Sequence, residues 1–539
     1  MMNGEFDVLI LGSGLSGSTL ALCLQAAGLR TCMVDAKRHP RFAIGESTIP
    51  NTSKLYTLMS VKYGVPELAA LSSFDDLIER VGTCGMKDNF GFVYHDKRVD
   101  PAKVHQFPLS EIVSTESHLY RADVDHWLAC RARDRGAALL EGVATRTIEV
   151  TERGVRFEGV DGTRISADYV VDATGRGSYL ADAFGLRTTE GLRTKSKSIF
   201  THMTGVIPFD EVTTIRAPRR WHTGTLHHVF DGGWMWVIPF DNSDRSANPR
   251  CSVGICWRID NGDESPMPNP ERAFATFLAD HPDIARQFEH ARVEREWTST
   301  GRLQYTATRT VGARWCLTSN AAGFIDPLFS RGMQNTAVVV DRLAERLINR
   351  FAAGFVPEVF EDIDALQAGL IEENDFLVSG AFRSFAAFDL WNAWFRVWQV
   401  NQVTGTMRTE QQLRTVSQLV AADGGESSVL RPGCAPGSRV DGFIDAFYSR
   451  ADRIIESYWN WEISMETAAR EFRTLFADVD FVPPSFGLTD MSQPFFDIDA
   501  DKVAQAVAWA RAARPGIREL YLGGLPAEAD AERSGAVAP

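Results

Sequence analysis

The chain has 539 residues, 70 of them acidic against 56 basic, for a formal net charge of −14. That length exceeds what one hydrophobic core organises, so two or three compact units are expected. With 44% hydrophobic and 23% charged residues the composition is that of a globular protein, and acids mixed with bases under a net negative charge argue against nucleic acid as a partner.

The first apolar run, Phe6 to Leu11, follows Glu5 and has no basic lead, and Gly12 and Gly14 interrupt it, so it reads as a folded strand and not as a signal peptide. No apolar stretch reaches membrane-spanning length, so no membrane association and a cytoplasmic location are expected. The eight cysteines are scattered, with no C-x-x-C pair and no histidine at zinc spacing; neither a metal site nor a disulfide framework is expected.

That first strand runs into Gly12-Ser-Gly14-Leu15-Ser16-Gly17 and a helix to Ala27. Gly12 suits a tight turn, Gly14 the approach of backbone to a pyrophosphate, and Gly17 close helix–strand packing. The next strand, Arg30 to Val34, ends in Asp35, an acid at the spacing that binds a ribose hydroxyl. The connector that follows holds Arg41 and Glu46, in contact with a cofactor or simply at the surface, and Ser47 to Pro50 reads as the cap and first turn of a helix to Tyr63.

Strands are expected at Ile78–Val81 and over Gly85–Tyr94, where Lys87 alone reads as a solvated edge residue. Arg121 opens a helix, and an antiparallel meander from Ala144 to Val171, with Asp161-Gly162 as its hairpin turn, returns to Asp172-Ala-Thr-Gly175. Residues 196 to 260 are rich in strands and 271 to 290 are helical. A strand at 315–318 then passes through Asn320-Ala-Ala-Gly323-Phe-Ile-Asp326 into a helix from Asn335. Phe385, Phe388, Trp391, Trp394, Phe395 and Trp398 form an aromatic face at helical spacing, as core or as the wall of a pocket for a flat ligand.

The resulting division is an FAD-binding unit over 1–195, a β-rich substrate domain over 196–300, a return segment of the FAD unit over 301–355, a helical region over 356–525 and a disordered tail over 526–539. The fold class is α/β: a glutathione-reductase-like FAD-binding domain with an inserted β-sheet substrate domain and a helical C-terminal region. Cofactor-type loops near 12, 172 and 326 favour FAD over NAD, because an NAD domain completes its site within one unit.

The pairing of Gly12-x-Gly14-x-x-Gly17 with Trp234-x-Trp236-x-Ile238-Pro239 resembles the signature of flavin-dependent halogenases. Gly45-Glu46-Ser47 and Phe324-Ile-Asp326-Pro327-Leu-x-Ser330-x-Gly332 also match. Cys84-Gly-Met-Lys87, the Gly185–Gly191 segment, Thr201-His202-Met203, Leu226-His227-His228 and Trp391-Asn392-x-Trp394 look similar to the phenol-halogenating branch. The resemblance implies that a separate reductase supplies reduced FAD, which with oxygen and chloride or bromide gives hypohalous acid. That oxidant would pass through the interior to Lys87, the catalytic residue, beside a phenolic substrate.

By the same resemblance Arg331 and Gly332 would bind halide, Asp326 the ribityl chain, Arg41 and Arg121 the nucleotide or phosphate side, and Ala144 the adenine. Leu15, Ser16, Glu46, Ser47, Gly332 and Met333 complete the expected cofactor contacts. Tryptophan halogenases carry a glutamate where this chain has Phe329, which puts a tryptophan substrate in doubt. His202, His227 and His228 are open between orienting a phenol and simple strand structure. The alternatives are an aromatic hydroxylase on the same fold and, from another class, a flavin-binding or carrier-docking protein without turnover.

Overall fold

The structure, a computed structural model, describes residues 3–96, 99–109, 116–422 and 442–523, so the expected tail over 526–539 lies outside the described residues. A parallel sheet carries the N-terminal unit. Asn3–Leu11 lies at its centre, paired with Arg164–Asp172 on one side and Thr31–Asp35 on the other. Ala138–Glu141 extends it beyond Thr31–Asp35, and Trp315–Leu317 beyond Arg164–Asp172. Strand ends from residues 11, 35, 172 and 317 therefore meet on one edge, although up to 306 residues of sequence separate them. Thr31–Asp35 and the C-terminal halves of Asn3–Leu11 and Arg164–Asp172 are buried on both faces, as befits parallel strands covered by helices.

A second, mostly antiparallel sheet follows the order Arg292–Val293, Ser196–Thr204, Arg250–Arg258, Gly233–Pro239, Thr225–Phe230, Asn89–His95 and Val99–Pro108. Its last two strands come from well before residue 196, and Asn89–His95 pairs in parallel with Thr225–Phe230. One face of this sheet packs on the C-terminal helices, through Phe92, Trp234 and Trp236 against Trp391, Phe395 and Trp398. The aromatic face at 385–398 is thus mainly core; Phe385 caps the end of Glu361–Ser384 and the other rings lie on the 35-residue helix Phe388–Ala422.

Three local expectations are corrected. Ile78–Val81 is not a strand but the end of the helix Phe74–Val81: Ser73 caps it, Asp75 and Asp76 occupy its first turn, Gly82 closes it in the left-handed region, and Phe74, Leu77 and Ile78 share its buried side. The helix after the connector starts at Pro50 with Ile49 as N-cap, because Ser47 is drawn into another contact. The 271–290 helix breaks at His281, where Pro282 cannot donate to the preceding turn. No helix among the described residues is long and apolar enough to cross a membrane, and none of the described cysteines is paired.

Candidate active site

The glycine turn has the packing that its spacing demands. A Cβ on Gly17 would lie 2.0 Å from the Gly12 carbonyl oxygen, and Gly12 has φ of +92°. Gly14 is the N-cap of Leu15–Ala26 and supplies no side chain, so the helix end keeps its N–H groups for another acceptor. Asp35 accepts from the Ser13 backbone N–H (3.0 Å) and hydroxyl (2.9 Å) and from Arg41 Nη2 (2.7 Å). Burial opposes its charge, but Arg41 and the Ser13 and Lys37 N–H groups outweigh burial and hold the carboxyl below its ordinary range.

Arg121 grips Asp125 at 2.7 and 3.0 Å and donates to the Ile44 and Gly45 carbonyls. Space above Gly14 is bounded by Asp125 Oδ2 and Arg41 Nη2, so Asp35, Arg41 and Arg121 converge on the glycine turn. Ser16 reaches Thr318 (3.1 Å) and Met333 packs in the same cluster as Leu15, which brings the late segment to the first. Ala144 directly follows Val143, whose N–H binds the Asp35 carbonyl; its own carbonyl is taken by Val160. Asp172 spends its carboxylate on Thr174, Ser178 and Leu180 within its own loop, and is therefore a loop organiser.

The turn at 326–332 is built around buried Asp326. It accepts from Ser196 Oγ (2.8 Å), Leu328 N–H (3.1 Å) and Trp234 Nε1 (3.2 Å), yet burial outweighs these bonds and pushes its carboxyl up to about 6. Ser330 has φ of +54°, unusual for a side-chain-bearing residue, and Arg331 returns to helical angles. This left-to-right alternation turns successive N–H groups inward, a geometry that suits an anion. Space beside Gly332 is open, and Gln334 Oε1 and Asn335 Oδ1 at the start of Gly332–Ala352 have no hydrogen-bond partner among the described residues. Arg331's two Nη groups donate away from the turn, to Asn401 and Glu373, each at 2.5 Å.

The residues fit FAD on these grounds: an uncapped helix end beyond a glycine turn, an acid at ribose spacing, the unpartnered buried Arg41 Nε, and unspent polar atoms on a second helix start. The Trp-x-Trp strand explains its spacing as well. Alternation puts Trp234 and Trp236 on one face, ring centroids 5.5 Å apart, with Trp236 lying over Gly254, where a Cβ would meet it at 2.2 Å. Ile238 is buried two positions on, and the Pro239 carbonyl accepts from His118 Nδ1 (2.8 Å).

Lys87 is not at the surface; it is fully buried. Its short strand, Gly85–Lys87, pairs with Glu116–His118, and Gly85 leaves no room for a Cβ against Pro239. Lys87 Nζ donates to Ser47 Oγ (2.7 Å) and the Thr48 carbonyl (2.6 Å) and stands 3.2 Å above the Phe90 ring. Burial drives its pKa well below that of a free lysine, partly opposed by Glu116, its cross-strand partner. Glu46 lies elsewhere, bonded to His202 at 2.7 Å.

Phe90 also lines a cavity of about 240 Å³, with Phe107, Leu109, Trp398, Val403 and Tyr521 as apolar wall. That is somewhat below the usual span of ligand pockets, roughly 300–1,000 Å³. Gln399 faces it with neither amide atom bonded to any of the described residues, although it is 1% exposed. Lys54, Glu410 and Arg414 form its charged edge. Phe329 stacks on Trp398 at 4.8 Å behind that wall. His227 is stacked on Phe92 and bonded to the Gly91 carbonyl, and His228 pairs with His95 and Gln287, so both are strand histidines held neutral by burial. Glu116, His118, Thr225 and Gln399 were missed in the sequence; none sits in a recognisable pattern, and each gains meaning only from pairing across strands or from facing the cavity.

The family model described as tryptophan halogenase matches residues 91–379. The tetracycline 7-halogenase of Kitasatospora aureofaciens is 38% identical over 527 residues, covering 96% of this chain and 94% of that protein. The monodechloroaminopyrrolnitrin halogenase PrnC of Pseudomonas fluorescens is 40% identical, covering 76% of this chain and 73% of that one. Among solved structures, halogenase PltM in complex with phloroglucinol and FAD superposes with a TM-score of 0.84 at 31% identity, covering 91% and 99% of the two chains. Matched in sequence over nearly its whole length and in fold to an FAD-bound halogenase, the chain belongs to the flavin-dependent halogenases.

Proposed function

We propose that this enzyme halogenates a phenolic aromatic through Lys87. The observation that carries this reading is the lysine itself: fully buried, two of its hydrogen-bonding positions fixed, and the third over Phe90, a wall of the cavity. Bound reduced FAD, with oxygen and halide, supplies hypohalous acid. Gly12, Gly14 and Gly17 with Leu15 and Ser16 would hold the pyrophosphate, and Asp35 a ribose hydroxyl. Arg41 and Arg121 would complete the nucleotide side with the Ala144 backbone, and Asp326 and Met333 the flavin side. The N–H groups of Arg331 and Gly332 would take the halide, and the reductase would be a separate, transient partner.

Burial favours the neutral amine of Lys87, whose lone pair can take the halogen: Lys–NH2 and HOX give Lys–NHX and water. A phenol ring then attacks the halogen, forming the carbon–halogen bond and returning its proton to the amine. The ring needs no carboxylate at position 329, because its oxygen stabilises the cationic ring, and Phe329 instead closes the wall behind Trp398. A phenolic hydroxyl both donates and accepts, which is what the unspent Gln399 amide can answer. Phloroglucinol, seen bound to PltM, is itself a phenol.

The test is Lys87→Ala, assayed with FAD, a flavin reductase, bromide and a panel of phenols that includes phloroglucinol, with products read by mass. FAD binding and flavin oxidation should persist while brominated product falls at least about 100-fold, a loss in keeping with removal of a group that acts on the reacting atoms. Full brominated yield would sink the assignment, and a hydroxylated product would point to a monooxygenase.

A further inference from the structure

The Lys87 ammonium position is the head of a continuous hydrogen-bonded chain. Lys87 Nζ is 2.7 Å from Ser47 Oγ, Ser47 Oγ is 2.9 Å from Thr225 Oγ1, and Thr225 Oγ1 is 2.9 Å from His118 Nε2. All four residues are at most 5% exposed. The chain's direction follows from its far end. The Pro239 carbonyl can only accept, so His118 Nδ1 carries the hydrogen at that 2.8 Å contact. Burial, then the Lys87 charge, push His118 down to about 3, so the ring is neutral and Nε2 is an acceptor. Thr225 must then donate to Nε2 and accept from Ser47, and Ser47 in turn accepts from Lys87.

From this geometry we infer that Ser47, Thr225 and His118 form a proton relay that sets the charge on Lys87, with His118 as the internal acceptor. The inference rests on the proposed role of Lys87. In the forward step Nζ–H passes its proton to Ser47 Oγ, the Ser47 proton passes to Thr225 Oγ1, and the Thr225 proton to His118 Nε2. One positive charge moves from lysine to imidazole, both hydroxyls are restored, and no electrons are exchanged. Reversal returns the ammonium. Haloamine formation needs the neutral amine, and donation to an oxidant's oxygen is stronger from the ammonium; the relay supplies either form without a water path to the buried nitrogen.

Other elements tune the pair. Glu116, on the strand paired with Lys87, favours the charged lysine. His227 and His222 also face this region, and like Lys87 they disfavour charge on His118. Burial disfavours charge on either group and each repels charge on the other, so Lys87 and His118 are not protonated together and at most one of them carries the relay's proton. The local backbone holds the register: Ser47 bridges His118, Thr48 N–H binds the Ser117 carbonyl and Leu119 N–H the Glu46 carbonyl. Pro239 gives the last residue of the Trp-x-Trp-x-Ile-Pro strand a role in fixing the histidine tautomer.

The test compares Thr225→Val, which keeps shape but cuts the chain, with Thr225→Ser, which keeps the hydroxyl. Two readouts are taken on the full FAD-loaded enzyme: bromination of phloroglucinol across pH 6 to 9, and the titration midpoint of Lys87 followed by NMR of lysine labelled at Cε and Nζ, assigned with Lys87→Ala. Thr225→Val should lower kcat about tenfold or more with KM and FAD affinity unchanged. Its Lys87 midpoint should fall by about half a unit, because the ammonium loses the hydroxyl dipoles behind Ser47. Thr225→Ser should restore both. A Thr225→Val enzyme with wild-type kcat and midpoint overturns the relay, and so does equal impairment of the Val and Ser variants. Full product from Lys87→Ala would instead defeat the role of Lys87, while the NMR midpoints still report on the chain.

Discussion

Trp234→Phe removes one defined bond, Nε1–H to Asp326 Oδ1 at 3.2 Å, from a carboxyl that burial raises to about 6. A hydrogen bond to an ionised partner contributes about 1.5–3 kcal/mol and one to a neutral partner about 0.5–1.5 kcal/mol. At pH 8 Asp326 is ionised and at pH 5 it is mostly protonated, so the variant should be costlier at pH 8 by about 1 kcal/mol. The smaller ring also leaves a void, but that cost is the same at both pH values and cancels in the comparison. The direction follows from linkage. A folded pKa raised above the unfolded value means that the native protein holds an extra proton between about pH 4 and 6, so its stability declines as pH rises through that window and is level above it. Losing a donor to the carboxylate raises the folded pKa further and extends the decline upward. Urea unfolding of the FAD-free protein, followed by circular dichroism at pH 5 and 8, measures both effects. An identical penalty at the two pH values would refute the assignment of the raised carboxyl to Asp326 and of its third donor to Trp234.

Gly17→Ala places a Cβ at 2.0 Å from the Gly12 carbonyl, backbone that cannot yield without opening the turn; FAD affinity should fall at least about tenfold by fluorescence titration. Lys62→Met leaves Asp341 and Glu345 without the cation now 2.9 and 2.8 Å away, at 1% and 4% exposure, and should cost about 3–5 kcal/mol in urea unfolding with Tyr63 still bonded to Asp341. Gln399→Leu should keep or slightly raise thermal stability, because it removes a buried amide with no partner among the described residues, while KM for a phenol rises about five- to tenfold; an unchanged KM would remove Gln399 from the substrate wall.

Some of this was legible in the chain and some was not, for separable reasons. Local rules sufficed where one short segment carries the constraint. The glycine turn, the helix behind it and the acid ending the next strand are set by backbone sterics and helix-end donors, so spacing alone identified them. The same local rules were available for Phe74–Val81, where Ser73, Asp75 and Gly82 mark a helix, but apolar–polar alternation over a few residues mimicked a strand. Lys87 shows the opposite case. In sequence it is a lysine in a polar, aromatic strand, and only the pairing of Gly85–Lys87 with Glu116–His118 and the crossing of Ser47 beneath it bury the nitrogen.

What the sequence by itself determined, then, is a dinucleotide turn that local backbone rules enforce, FAD from the recurrence of such loops near 12, 172 and 326, and the family from the resemblance of short motifs along the chain. What only the tertiary structure decided is which groups surround Lys87 and the chain of hydrogen bonds leading from it. Ser47, Glu116, His118 and Thr225 come from segments up to 178 residues apart. Their meeting depends on sheet register and on the helices that roof the second sheet, and the charge state of the lysine follows from that burial, which no local pattern encodes.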